Sequence, residues 1–142
     1  MNLAGVTSKM ASILIVDDDL DGSDVLARLL RKAGHQVTLV PNGRKALSAL
    51  GNGNHDLVLL DVMMPEMDGI SFLEVVRTYL RWQTLPIIML TAYPDIPDPA
   101  KLSRFGVQHV LHKSLFRLPD LLIAIREATA ARESERGASA QS

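Results

Sequence analysis

Asp61 closes an apolar run, Asp56-Leu57-Val58-Leu59-Leu60, and is followed at once by Val62-Met63-Met64-Pro65-Glu66-Met67-Asp68-Gly69. A second apolar run, Ile13-Leu14-Ile15-Val16, ends the same way, in Asp17-Asp18-Asp19. Two buried strands that each finish in carboxylates suggest one acidic pocket at a sheet edge. Clustered carboxylates resist ionising together unless a cation compensates them. Their oxygens suit Mg²⁺, which keeps several waters and takes one or two carboxylates plus a phosphate. Lys113 would add a mobile positive charge against phosphoryl oxygens, and Thr91 a hydroxyl donor. With these groups placed, Asp61 could attack a phosphorus atom in line, and catalysis would consist of positioning and charge neutralisation.

These residues are far apart in sequence, so the elements between them must bring them together. Residues 13–17 read as a first strand. A helix is expected over about 21–33, where Val25, Leu26, Leu29, Leu30 and Ala33 recur at helical spacing; Gly34 ends it. Residues 36–40 alternate polar and apolar, as a half-exposed strand does. A short helix should cover 44–50, and 56–61 should be a third strand, apolar on both faces and therefore central in a parallel sheet. A helix over 70–79, a strand over 86–90 and a short helix over 100–105 follow, the last after the proline-broken stretch Tyr93-Pro94-Asp95-Ile96-Pro97-Asp98-Pro99. Residues 107–111 make a fifth strand, and a last helix begins at Pro119. Five strand–helix alternations specify an α/β layered fold with a parallel sheet. In such sheets ligands bind at the carboxyl ends of the strands, where Asp17, Asp61, Thr91 and Lys113 all fall.

The chain has 142 residues, 47% of them hydrophobic and 22% charged, which suits one domain with a real core. Residues 1–11 read as a flexible leader, 12–131 as the domain, and 132–142 as a disordered tail. The net charge of −1 does not favour a nucleic-acid surface. With no cysteine, disulfides, thiolate metal sites and thiol catalysis are excluded together. No stretch approaches the roughly 20 apolar residues of a membrane span, so a cytoplasmic location is expected.

The segments Ile13 to Asp19, Asp56 to Pro65 with Met67-Asp68-Gly69, Leu90-Thr91-Ala92 and His112-Lys113, in this order and spacing, resemble the receiver domain of two-component response regulators, the CheY-like superfamily. The resemblance covers about residues 12–131. It implies a flavodoxin-like, doubly wound fold: a five-stranded parallel sheet of order 2-1-3-4-5 with helices on both faces, an order taken from the family rather than from the residues. It implies that Asp61 accepts a phosphoryl group from a sensor histidine kinase or a histidine phosphotransfer protein, with Mg²⁺ as cofactor. Asp18 would bind the metal directly, Asp17 mainly through water, and the Met63 carbonyl would be a further ligand. Thr91 would sense the phosphoryl group and Lys113 would pair with it. The product would be a protein–protein signal to a downstream target. Met63 and Tyr93 match positions that tune how long the phosphoryl group survives, and a bulky apolar pair there predicts slow self-hydrolysis.

Two positions depart from the pattern. The family usually has Pro after the lysine, where Ser114 stands here, and commonly an aromatic residue three positions before it, where Val110 stands. The usual threonine–aromatic coupling cannot operate as such. Other readings stay beside this one. A phosphorylation-independent binding module would use the same fold. An aspartate-nucleophile phosphatase of the haloacid dehalogenase type would need an acid two residues after the nucleophile, where Met63 cannot serve. A flavin module would need a Ser/Thr- or Gly-rich loop after the first strand. Asp17-x-Asp19-x-Asp21-Gly22 mimics the start of a calcium loop, but its twelfth position is Arg28. Asp19 and Asp21 read instead as solvated acids leading into the first helix. The four histidines show no metal-ligand spacing, and Trp82 reads as a cap on the third helix.

Overall fold

The computed structural model describes residues 10–64, 67–92 and 99–141, with side chains as far as Arg132. The elements are β1 (Ser12–Val16), α1 (Leu20–Lys32), β2 (Gln36–Val40), α2 (Gly43–Asn52), β3 (Leu57–Asp61), α3 (Gly69–Arg77), β4 (Ile87–Thr91), α4 (Pro99–Arg104), β5 (His109–His112) and α5 (Leu118–Gln141), with a 3-10 turn at Leu80–Trp82. The strands pair in parallel in the order β2-β1-β3-β4-β5. This is the expected doubly wound sheet.

Strand residues alternate between two cores because successive side chains point to opposite faces. Leu14, Val16, Val58, Leu60 and Met89 pack with Phe72, Leu73 and Val76 of α3 and Ala46 and Leu50 of α2. Ile13, Ile15, Leu57, Leu59, Ile88 and Leu90 pack with Ala27 and Leu30 of α1 and Leu121, Leu122 and Ile125 of α5. β3 is buried along its whole length, as its unbroken apolar run predicts, whereas edge strand β2 exposes Gln36 and Thr38. Each such buried aliphatic side chain contributes about 1.5–3 kcal/mol from burial.

Short polar side chains set the helix starts. Asp19, Asn42 and Asp68 N-cap α1, α2 and α3 by accepting the N–H groups of Gly22, Lys45 and Ser71. Gly34 ends α1 with φ of 103°, a left-handed conformation that favours glycine.

Several expected boundaries shift. Ala11 is not leader: it is buried, its N–H donates to His35 Nδ1, and its carbonyl accepts from Gln36 N–H. β5 begins at His109 and runs to His112, so Lys113 follows the strand directly. Residues 132–141, expected to belong to a disordered tail, continue α5 as helix to Gln141. Trp82 does not cap α3. It is buried in the 3-10 turn, and Arg77 near the end of α3 reaches it, Nη1 donating to the Trp82 carbonyl at 2.6 Å. The leader residues 1–9, the variable-position residue Tyr93, and Pro94 and Pro97 lie outside the described residues. Truncating a central residue of β3 tests the layered core: Leu59→Ala should lower stability by about 2–5 kcal/mol in urea unfolding while leaving the far-ultraviolet circular dichroism spectrum native.

Candidate functional site

The site forms where β1, β3, β4 and β5 end. Asp61 is the last residue of β3 and only 6% exposed. Val16 pairs with Leu60 in register, so Asp17, one residue further along, comes beside Asp61. The Asp17 N–H donates to the Val40 carbonyl, which fixes where the chain leaves the sheet. Asp61 pairs with Leu90, and the next β4 residue is the buried Thr91. The Thr91 carbonyl accepts the backbone N–H of Lys113 at 2.7 Å, anchoring the start of the loop after β5.

From that anchor the Lys113 side chain crosses the strand ends. Its Nζ lies 2.8 Å from Asp17 Oδ2 and 3.3 Å from Asp61 Oδ1. Asp17 is doubly engaged, because its Oδ1 accepts the N–H of Asp19 at 2.9 Å. Asp18 is exposed, yet it offers a carboxylate oxygen that falls within 4.8 Å of oxygens of Asp17 and Asp61. Three carboxylates facing one ammonium leave excess negative charge. An all-oxygen donor set of this kind fits a hard divalent cation.

Burial pushes the Asp61 carboxyl up to about 6, and the neighbouring Asp17 charge pushes the same way, against Lys113 and the Met63 backbone N–H. For Lys113, burial disfavours the charged form, but the hydrogen bond and charge of Asp17, then those of Asp61, outweigh it and raise its pKa.

α3 packs unusually close to the site. A Cβ on Gly69 would lie 2.7 Å from the Asp61 carbonyl oxygen and 3.0 Å from Val62 Cα, both backbone atoms. The Gly69 N–H donates to the Val62 carbonyl at 2.9 Å. This packing role of Gly69, the capping by Asp68 and the Met63 N–H contact to Asp61 were not read from the sequence, although the Asp68-Gly69 pair before an apolar helical run was a usable signal.

Asp17, Asp18, Asp61 and Lys113 are thus brought together, and Thr91 stands at the neighbouring strand end. The Met63 side chain is 53% exposed beside Asp61. Val110 is partly buried against the α3-side core. Among the described residues no peptide bond is cis, so Lys113-Ser114 is trans, and Ser114 Oγ lies 3.1 Å from His112 Nδ1. The Asp17–Asp19–Asp21 spacing makes no calcium loop: Asp19 caps α1 and Asp21 lies in its first turn.

The chain matches the family model described as the response regulator receiver domain over residues 13–126. It is 41% identical over 107 residues to an uncharacterized 14.6 kDa protein in the sodA1 3' region of Leptolyngbya boryana, covering 75% of this chain and 82% of that protein. It is 34% identical over 110 residues to the transcriptional regulatory protein ZraR of Klebsiella oxytoca, covering 78% of this chain but only 24% of ZraR. Among solved structures, the response regulator protein TrrA of Thermotoga maritima, in complex with Mg(2+)-BeF, superposes with a TM-score of 0.73 at 28% identity, covering 84% of this chain and 99% of that one.

Two outcomes check this geometry. Gly69→Ala should force α3 away from β3 and destabilise the fold by about 1–3 kcal/mol in urea unfolding. Because the Asp61 pKa is raised, its charge opposes folding above about pH 6, and that cost fades as pH falls toward the ordinary carboxylate range. Asp61→Asn should therefore stabilise the metal-free protein by about 1–2 kcal/mol at pH 8 and by much less at pH 4.5, read from urea midpoints.

Proposed function

The chain belongs to the response regulator receiver domain family, and from that premise we propose that it is a phosphoacceptor module whose Asp61 takes a phosphoryl group from a histidine kinase or a histidine phosphotransfer protein. The observation that carries this reading is the Lys113 ammonium held between Asp17 Oδ2 and Asp61 Oδ1. An Asp61 oxygen attacks the phosphorus of a phosphohistidine, the P–N bond breaks, the imidazole leaves with the bonding electrons, and an aspartyl phosphate remains. A Mg²⁺ ion held by Asp17, Asp18, Asp61 and the Met63 carbonyl would neutralise the charge gathered between carboxylates and phosphoryl oxygens. Lys113 pairs with a phosphoryl oxygen, and Thr91 donates its hydroxyl to another. TrrA, solved with Mg(2+)-BeF, supports the choice of ion. The aspartyl phosphate biases the domain toward a second conformation read by a partner protein. Among the described residues no helix is long and apolar enough to cross a membrane.

One observation favours a second reading, a binding module that works without phosphorylation. Val110 occupies the position of the usual aromatic residue and is already partly buried against the core, which leaves the usual threonine–aromatic coupling without its aromatic partner.

Incubation with radiolabelled acetyl phosphate separates the two. The wild type should label only with Mg²⁺ present, and Asp61→Asn should not label; an unlabelled wild type would leave the binding-module reading standing. Mg²⁺ must displace the proton that Asp61 holds below about pH 6. Its affinity, measured by calorimetry, should fall about tenfold per pH unit below that point. The exposed thioether of Met63 screens the acyl phosphate from water, so Met63→Ser should shorten the lifetime of the label.

A further inference from the structure

The opposite edge of the sheet, where the strands begin, carries a second polar site. A cavity of about 410 Å³ opens there. The α2–β3 loop walls it with Asn54, His55 and Asp56, the 3-10 turn adds Arg81 and Trp82, and α5 adds Arg132. Its size falls in the range of small-ligand pockets.

Its chemistry is that of an anion receptor. Arg132 is only 8% exposed, and its Nη1 donates to the His55 carbonyl at 3.3 Å. His55 Nδ1 is buried with no hydrogen-bond partner among the described residues; a buried polar nitrogen is normally paired with protein, water or a ligand. Asp56 is the acid in this wall, and its Oδ2 is taken by the Ser12 N–H at 2.8 Å. Arg81 stacks over the Trp82 ring at 5.3 Å. Arg77 is tied to this wall through the Trp82 carbonyl and donates also to the Phe105 carbonyl, both neutral acceptors. Its pKa is lowered to about 10, by burial first and then by repulsion from Arg132. Guanidinium, imidazole and amide donors thus come from three separate elements. Convergence from several directions suits a tetrahedral oxyanion better than a planar carboxylate. Leu50, Leu85 and Trp82 are sealed beneath it, and Asn54 and Asp56 leave the rest of the wall polar.

We propose that this cavity binds a small phosphate monoester with a polar organic part, its phosphate held by Arg132, Arg81 and His55 and its hydroxyl groups beside Asn54 and Asp56. The site lies at the opposite sheet edge from Asp61 and does not depend on phosphoryl transfer there.

Trp82 is the one tryptophan of the chain, so its fluorescence reports on this wall alone. The full chain carrying Asp61→Asn, which cannot take up phosphate at Asp61, is titrated at constant ionic strength with ribose 5-phosphate, inorganic phosphate, ribose and sodium chloride. Ribose 5-phosphate should give a saturable change with a Kd of about 1 mM or tighter, and ribose and chloride none. Arg81→Gln, an exposed change that leaves the fold intact by circular dichroism, should weaken binding about tenfold, the effect of losing one charge-assisted hydrogen bond. Arg132→Lys, which keeps the buried charge, should weaken it as well. Inorganic phosphate binding as tightly as the ester would overturn the ester assignment and make free phosphate the occupant. The proposal fails altogether if neither phosphate compound gives a saturable change up to about 20 mM, or if both variants titrate like the parent.

Discussion

Lys113 Nζ sits between Asp17 Oδ2 and Asp61 Oδ1, and this bridge answers a problem that the parallel sheet itself creates. Adjacent strands that run the same way deliver their last residues to one edge. When those residues are acids in a buried setting, each charge raises the cost of the next. The ammonium offsets part of that cost, but burial first and the Asp17 charge second still displace the Asp61 pKa upward. The unrelieved charge is what makes the edge receptive to a cation. A fully neutralised cluster would be more stable and less useful.

The bridge depends in turn on backbone contacts that no charged group makes. The Lys113 N–H is tied to the Thr91 carbonyl, the Asp17 N–H to the Val40 carbonyl, and the Asp19 N–H to Asp17 itself. Gly69 lets α3 begin against the Asp61 carbonyl. These contacts fix the strand ends relative to one another, so the side chains of the site are positioned in advance. The loop after Lys113 carries Ser114 where the family usually has Pro. The Lys113-Ser114 peptide is trans, and the Ser114 hydroxyl meets the His112 ring across the lysine. Val110 on the same strand is aliphatic and already packed against the core. This face therefore lacks the aromatic side chain that the family commonly places there.

The molecule is also electrostatically divided. Asp17, Asp18 and Asp61 gather around Lys113 where the strands end, while Arg81 and Arg132 gather around the single acid Asp56 where they begin. A net charge of −1 conceals this separation. Bulk charge argued against nucleic acid, but it carried no information about two small, oppositely charged sites at the two edges of one sheet.

The fold and the main site were legible in the sequence because both are written in local patterns. Apolar runs of strand length, each ending in an acid, threonine or basic residue, specify parallel strands and place Asp17, Asp61, Thr91 and Lys113 at one edge. Composition alone excluded thiol chemistry. Tertiary structure decided what depends on distances between segments remote in the chain: that Lys113 spans two carboxylates, that Gly69 has no room for a Cβ, that Ala11 is pinned by His35, and that α5 carries Arg132 down to the loop holding His55. Periodicity reports which face of an element is buried but not which side chain from a remote segment it will meet. The second cavity was invisible for that reason. Its walls come from three elements whose polar residues, taken one at a time, look like ordinary surface.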